Sequence, residues 1–188
     1  LKQAYLKIGN DFKAAETFEL QNELYPVSTN YNSIGVLYSN AGATDKAIEF
    51  YEKALEENPH DKHAYANLGS TLLYKKPKQA KEYLQKALNI DPEHDIALIE
   101  LGKIDKSEGN TVAAQVKFRK AYDLYLKQWK TNSLPKYAYG WFATVAEELE
   151  ENNFAKEIRA SAPKTESEAY YNKENLSMTK TKALTNNN

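Results

Sequence analysis

The sequence predicts an all-α fold, an α-solenoid of helix-turn-helix hairpins, on three observations. Small and apolar residues recur at spacings of three and four, the mark of one packed helical face. These patterns come in pairs joined by short polar turns, as at Gly42 and at Gly109–Asn110. The pairs then repeat: Gly35, Gly69 and Gly102, Ala47, Ala80 and Ala114, Ala54, Ala87 and Ala121, and Pro59 and Pro92 are 33 or 34 residues apart. Gly9, Ala14, Phe18 and Pro26 stand 33 residues ahead of Gly42, Ala47, Tyr51 and Pro59. One hairpin cannot bury its apolar face alone, so units at a fixed period must stack to make a core.

Taken in order, residues 1–26 read as a partial first repeat. Leu1 and Tyr5 fall 33 residues before Ile34 and Tyr38, the back half of a first helix, and a full helix follows over 11–24. The sequence therefore reads as a fragment or a processed chain that starts inside a repeat. Residues 27–60 form the next hairpin, with Ser28 or Thr29 as N-cap. Tyr31, Ile34, Gly35 and Tyr38 line its first helix and Ala47, Tyr51 and Ala54 its second; Pro59 stops it.

Residues 61–93 follow, with Asp61 as cap and Tyr65, Leu68, Gly69 and Leu72 on the packed stripe. The turn of this hairpin is one residue short, which puts Pro77 in the first turn of the second helix, where its missing N–H costs nothing. Residues 94–131 depart from the pattern twice. Asp105 stands where Tyr5, Tyr38 and Leu72 stand, and no proline follows Ala121. Val112, Gln115, Phe118, Tyr122, Tyr125 and Trp129 keep helical spacing, so an unbroken helix is expected over 111–130, ended by Ser133–Leu134–Pro135. Residues 132–163 read as a divergent capping pair, helical over 137–150 and 154–160 with a turn at Asn152–Asn153. Residues 164–188 form a polar tail with at most one helical turn, around Glu168–Tyr171.

The repeated residues carry a recognisable signature. An aromatic, then Leu–Gly and Tyr, then Ala, an aromatic, Ala and Pro recur in register, as in Tyr31, Gly35, Tyr38, Ala47, Tyr51, Ala54 and Pro59. In these residues the chain resembles the tetratricopeptide repeat family over roughly residues 1–126. The resemblance implies a right-handed solenoid in which the glycines and alanines let paired helices approach closely. It also implies that Tyr31, Tyr38, Tyr51, Tyr65, Leu84 and Phe118 fill the gaps between neighbouring hairpins.

In that family the first helices line a concave groove, which here implies Thr29, Asn32, Val36 and Ser39, then His63, Ala66, Asn67, Ser70 and Leu73, then Ile96, Ile99, Lys103 and Lys106. The set mixes amides, hydroxyls and apolar contacts, with a basic patch at its far end. Such a surface suits the backbone and side chains of a partner segment. The implied function is a non-enzymatic protein–protein interaction scaffold with a protein or peptide partner. The runner-up is an adaptor or regulatory region of a larger enzyme or of a secretion or assembly machine, truncated at its N-terminus. A third reading is self-association through the open first repeat, whose apolar surface lacks a neighbour.

Some family members grip the C-terminal carboxylate of heat-shock chaperones with Lys and Asn on one first helix, Asn on the next, and Lys and Arg on a third. Matching positions here hold Asn32 and Val36, then Asn67, then Ile96 and Glu100; one hairpin earlier they hold Gln3, Ser33, His63 and Asn67. Only Asn67 fits its place, so an internal segment is the expected ligand.

Composition bounds the rest. The chain has 188 residues, 41% hydrophobic and 27% charged, with a net charge of −1, which gives no reason to invoke nucleic acid or an anionic membrane. Apolar runs fall short of a membrane span, so no insertion is expected. Cysteine is absent, which excludes disulfides and thiolate sites but leaves the compartment undecided. His60, His63 and His94 are expected at the surface, too few and too scattered for zinc. Glu147, Glu148, Glu150 and Glu151 read as a solvated face rather than an acid–base pair. Lys117, Arg119, Lys120, Lys127, Lys130 and Lys136 interleave with aromatics like a single-strand nucleic-acid surface, yet the rings share one helical stripe and read as core. No nucleotide, metal or nucleophile motif occurs; no enzyme activity, cofactor or metal is expected.

Overall fold

A computed structural model of the chain describes residues 2–24 and 30–163. Ten helices and no strand occur among the described residues: α1 (Lys2–Lys7), α2 (Asp11–Leu24), α3 (Asn30–Asn40), α4 (Thr44–Glu57), α5 (Lys62–Leu72), α6 (Pro77–Ile90), α7 (Asp95–Ser107), α8 (Thr111–Lys130), α9 (Ala138–Glu148) and α10 (Asn152–Ala160). The proposed caps Ser28 and Thr29, and the turn at 168–171, lie outside the described residues. The chain divides into two compact units, Leu1–Ala97 and Leu98–Asn188.

In the first unit, α1 packs on α2, α3 on α4 and α5 on α6, while α2 and α4 each also meet the first helix of the next hairpin. Local chemistry sets the helix ends. Asp61 Oδ1 accepts from the backbone of His63 at 2.9 Å and of Ala64 at 3.1 Å, capping α5. Pro77 opens α6 in its first turn, as the short turn requires. Gly42 turns the second hairpin with φ of +75°, a backbone that side chains resist. The core runs through Phe18, Ile34, Tyr38, Phe50, Tyr51, Leu68 and Leu72.

Close approach within hairpins comes from Gly35 and its counterparts. A Cβ on Gly35 would meet the Tyr51 ring, one on Gly69 would meet Leu84, and one on Gly102 would meet Phe118. The large residues therefore also pack within their own hairpins. Leu84 and Phe118 press on the glycine of their own hairpin, and Tyr31–Phe50 and Tyr65–Tyr83 are likewise ring pairs within a hairpin. Tyr38 does bridge hairpins: it packs on Phe12 and donates its hydroxyl to Glu19 Oε2 at 2.6 Å. Burial and that carboxylate push the Tyr38 hydroxyl well above the usual tyrosine range.

In the second unit α8 runs unbroken from Thr111 to Lys130, as its spacing predicts. Asp105, the residue out of pattern, is buried and accepts from Lys117 Nζ of α8 at 2.5 Å. The pair α9–α10 packs on α8 through rings around Phe142, which lies 5.4 Å from Tyr122, 5.7 Å from Tyr125 and 5.5 Å from Phe154. Phe118, Tyr122, Tyr125 and Trp129 are all buried, so no base can stack on them. The turn between α9 and α10 differs from expectation. Glu150, rather than Asn152 or Asn153, reverses the chain, with φ of +65°.

Candidate functional site

The first helices α3 and α5 lie side by side in the first unit. Asn67 Nδ2 of α5 donates to Asn32 Oδ1 of α3 at 3.0 Å, so the two amides form a rung between successive hairpins. Each is half-buried, and the bond uses one of Asn67's donors and one of Asn32's acceptor sites. Val36 and Leu73 are half-buried on the same two helices. Ser39 is exposed, and its hydroxyl together with that of Thr71 hydrogen-bonds the Tyr51 hydroxyl; burial nevertheless pushes that phenol up to about 12. Ser70 Oγ is buried without a hydrogen-bond partner.

Two of the expected groove residues are corrected. Ala66 and Ile99 are 0% exposed and belong to the core, where they offer no surface to a partner. Helical spacing from the packed stripe places a residue on a face but does not say whether a neighbour covers it. Thr29 lies outside the described residues. Ile96 is half-buried in the first turn of α7.

The expected basic patch is also corrected. In the second unit Lys103 Nζ sits 3.2 Å from Glu100 Oε1 and 4.9 Å from the centre of the Trp141 ring. Lys106 Nζ is 2.6 Å from Glu148 Oε2. Both lysines are engaged by carboxylates, so they offer a partner much less positive charge than their number suggests. Glu100 is 4% exposed, with Oε2 buried and without a hydrogen-bond partner. Burial pushes its carboxyl above the usual range, and Lys103 pulls it back in part.

The acidic run is likewise shared out. Glu147 pairs with Arg159, Glu148 with Lys106, and Glu151 accepts the Tyr122 hydroxyl at 2.5 Å. The arrangement is that of structural ion pairs rather than two carboxyls facing a cleft.

His94 corrects another expectation. It is 4% exposed, not a surface residue, and its Nε2 lies 3.0 Å from Nδ1 of exposed His63. The sequence carried a weak signal for this: the two are nearly one repeat apart, and each stands at the start of a first helix. Among the described residues no group of three or more His, Asp or Glu could hold a metal ion, and no helix is long and apolar enough to cross a membrane.

Comparison with known proteins bears on this arrangement. Models of the tetratricopeptide repeat match residues 31–61 and 63–94, which nearly coincide with the second and third hairpins. Tetratricopeptide repeat protein 6 of Homo sapiens is 28% identical over 95 residues, half of this chain and 18% of that protein. Photosystem I assembly protein Ycf3 of Synechococcus sp. (strain CC9605) is 33% identical over 88 residues, 40% of this chain and 50% of that one. The chain thus spans at most half the length of these relatives. Among solved structures, a crystal structure of MamA superposes with a TM-score of 0.58 at 18% identity, covering 95% of this chain and 97% of that one. MamA residues 41 to the end from Desulfovibrio magneticus RS-1 superpose at 0.56, also at 18% identity, covering 86% and 88%. At that identity the likeness is one of fold: an all-α solenoid of helical hairpins.

Proposed function

This chain belongs to the tetratricopeptide repeat family, and from that we propose that its first unit holds an extended segment of a partner protein along the faces of α3 and α5. Repeat arrays of this kind are protein-interaction scaffolds, and the chain is one in that general sense. The finer reading rests on the rung between Asn67 and Asn32. Asn67 keeps its carbonyl oxygen as an acceptor and Asn32 keeps its NH2 as a donor, and one donor beside one acceptor is what a peptide plane requires. Val36 and Leu73 supply apolar contacts for alternate side chains, with exposed Ser39 beside them, while the buried Ser70 hydroxyl offers a partner nothing. In the second unit Lys103 and Lys106 carry less available charge than the sequence suggests, each being paired with a carboxylate. Binding is non-enzymatic and needs no cofactor.

Affinity capture on the full chain, read by mass spectrometry and by titration of the captured segment, tests this. Asn67→Ala and Asn32→Ala should each lower affinity roughly fivefold or more, by leaving the partner's backbone groups unpaired. Lys53→Ala, on the second helix of its hairpin, should leave affinity unchanged. Equal affinity for all variants would overturn the reading.

A second reading, self-association through the first hairpin, is favoured by one observation. Leu6, Ile8, Leu20 and Leu24 of α1, α2 and the turn between them are all exposed large apolar residues. Sedimentation at several concentrations would show a rising mass if that face pairs, and a constant one if it does not.

A further inference from the structure

His94 immediately precedes α7, and its two ring nitrogens face two different helix starts. On one side Ala97 N–H, in the first turn of α7, donates to Nδ1 at 3.5 Å. On the other, Nε2 lies 3.0 Å from Nδ1 of His63 in the first turn of α5. A neutral imidazole has one N–H and one bare nitrogen. If Nδ1 receives the Ala97 N–H, then Nε2 carries the proton and donates to His63. His63 must in turn present a bare Nδ1 and hold its own proton on Nε2. Both contacts are satisfied by one tautomer of each ring, and only while both rings are neutral.

We infer that His94 and His63 form a proton-sensitive latch, which ties the first turn of α7 to the first turn of α5 at neutral pH and lets go on mild acidification. A proton on His94 Nδ1 would set two donors against each other at Ala97 and place a cation at the positive end of α7. A proton on His63 Nδ1 would do the same against His94 Nε2. The surrounding charges are few and nearly balanced. Asp95 of α7, with Oδ1 3.8 Å from His94 Nδ1, favours the charged ring, as does Asp91 of the preceding turn. Lys62 of α5 and His63 oppose it, and Lys62 is bound to Asp91 Oδ2 at 2.7 Å, which quiets both. Asp61, the cap of α5, has Oδ1 committed to the backbone of His63 and Ala64. Burial of His94 is the largest influence and holds the ring neutral. The latch therefore opens as pH falls below the ordinary histidine range.

Two measurements on the full chain decide it. Long-range proton–nitrogen NMR at pH 7.5 should report His94 with its proton on Nε2, titrating below the ordinary histidine range. Hydrogen exchange, corrected for intrinsic rates, should show the Ala97 amide losing about tenfold or more of its protection between about pH 7.5 and 5.5. His94→Asn keeps a capping acceptor that does not titrate in this range, so Ala97 protection in that variant should not change with pH. A proton on His94 Nδ1 at pH 7.5, constant Ala97 protection in the native protein, or the same loss in His94→Asn would each overturn the latch. Should His94→Asn not fold, the two readings on the native protein decide alone.

Discussion

Gly35 and Tyr51 touch so closely across the second hairpin that a Cβ on the glycine would lie 2.6 Å from Tyr51 Cε1. The ring cannot swing away, because it is buried and its hydroxyl is bonded to those of Ser39 and Thr71. Two effects of Gly35→Ala then compete. Helix propensity favours alanine by about 1 kcal/mol, while forcing a methyl into a packed contact costs about 1–3 kcal/mol. Overpacking wins, and equilibrium urea unfolding should show a net loss of up to about 2 kcal/mol. Gly140 of α9 is the control: exposed, with nothing within 4 Å of its would-be Cβ. There propensity acts alone, and Gly140→Ala should stabilise by about 1 kcal/mol. Equal effects of the two substitutions would mean that the Gly35 contact carries no weight.

The pair between Asp105 and Lys117 is mostly buried, with side chains 11% and 26% exposed. Lys117→Met leaves the carboxylate desolvated and unpaired, which should cost about 2–4 kcal/mol. Changing both residues, Asp105→Leu with Lys117→Met, restores the kind of residue that Leu72 provides one repeat earlier. The double variant should return to within about 1 kcal/mol of the native protein, since a buried ion pair rarely outperforms apolar packing. Thermal unfolding of the two single variants and the double variant closes the cycle.

These cases mark where the sequence was informative and where it was not. Gly35, Gly69 and Gly102 were legible because a fixed period puts each at the same point of a helix crossing. The unbroken α8 was legible because spacing and proline positions act locally. Which large residue meets which atom was not: Leu84 and Phe118 press on the glycines of their own hairpins, and helical spacing gives a stripe without naming its partner. Buried polar residues were the least legible. Burial of His94 depends on His63, which is distant in sequence, and the charge on Lys106 is engaged by Glu148, 42 residues away. Glu150 shows a different limit, since a left-handed turn is expected at glycine or asparagine and a glutamate gives no such sign.

Glu100 makes stability depend on pH in a direction that can be worked out. Its folded pKa is raised above the unfolded value, so its contribution is fully present below about pH 4.5 and is lost as pH rises through the folded pKa. One of its carboxyl oxygens is buried and without a hydrogen-bond partner, so ionisation carries an uncompensated burden there. Glu100→Gln removes that burden at the expense of the ion pair with partly exposed Lys103, which contributes little. The variant should be more stable than the native protein at pH 7, and the difference should shrink toward about pH 4.5. His94 works the other way, its folded pKa being lowered, so its contribution is lost as pH falls from about 6.5 through the folded value. Urea midpoints measured across this range in both backgrounds separate the two. A Glu100→Gln midpoint below the native one at pH 7 would mean that the Lys103 pair outweighs the desolvation.

The last prediction concerns a ligand this surface should refuse. A chaperone tail presents a doubly charged chain end, which needs several cations and amides converging within hydrogen-bond reach. The matching positions supply Asn32, Val36, Asn67, Ile96 and Glu100, with no cation among them. Asn67 is already bonded to Asn32, so the first unit meets a chain end with amides alone. Lys103 and Lys106, the nearest cations along α7, are held by Glu100 and Glu148, and freeing either would cost the pairing it now has. Calorimetric titration with an acidic peptide ending in a free carboxylate should therefore give no measurable heat at neutral pH. An internal segment with capped ends, bound through its peptide planes, escapes every one of these penalties. Micromolar binding of the acidic peptide, abolished by Asn67→Ala, would show that the amide rung serves a chain terminus after all.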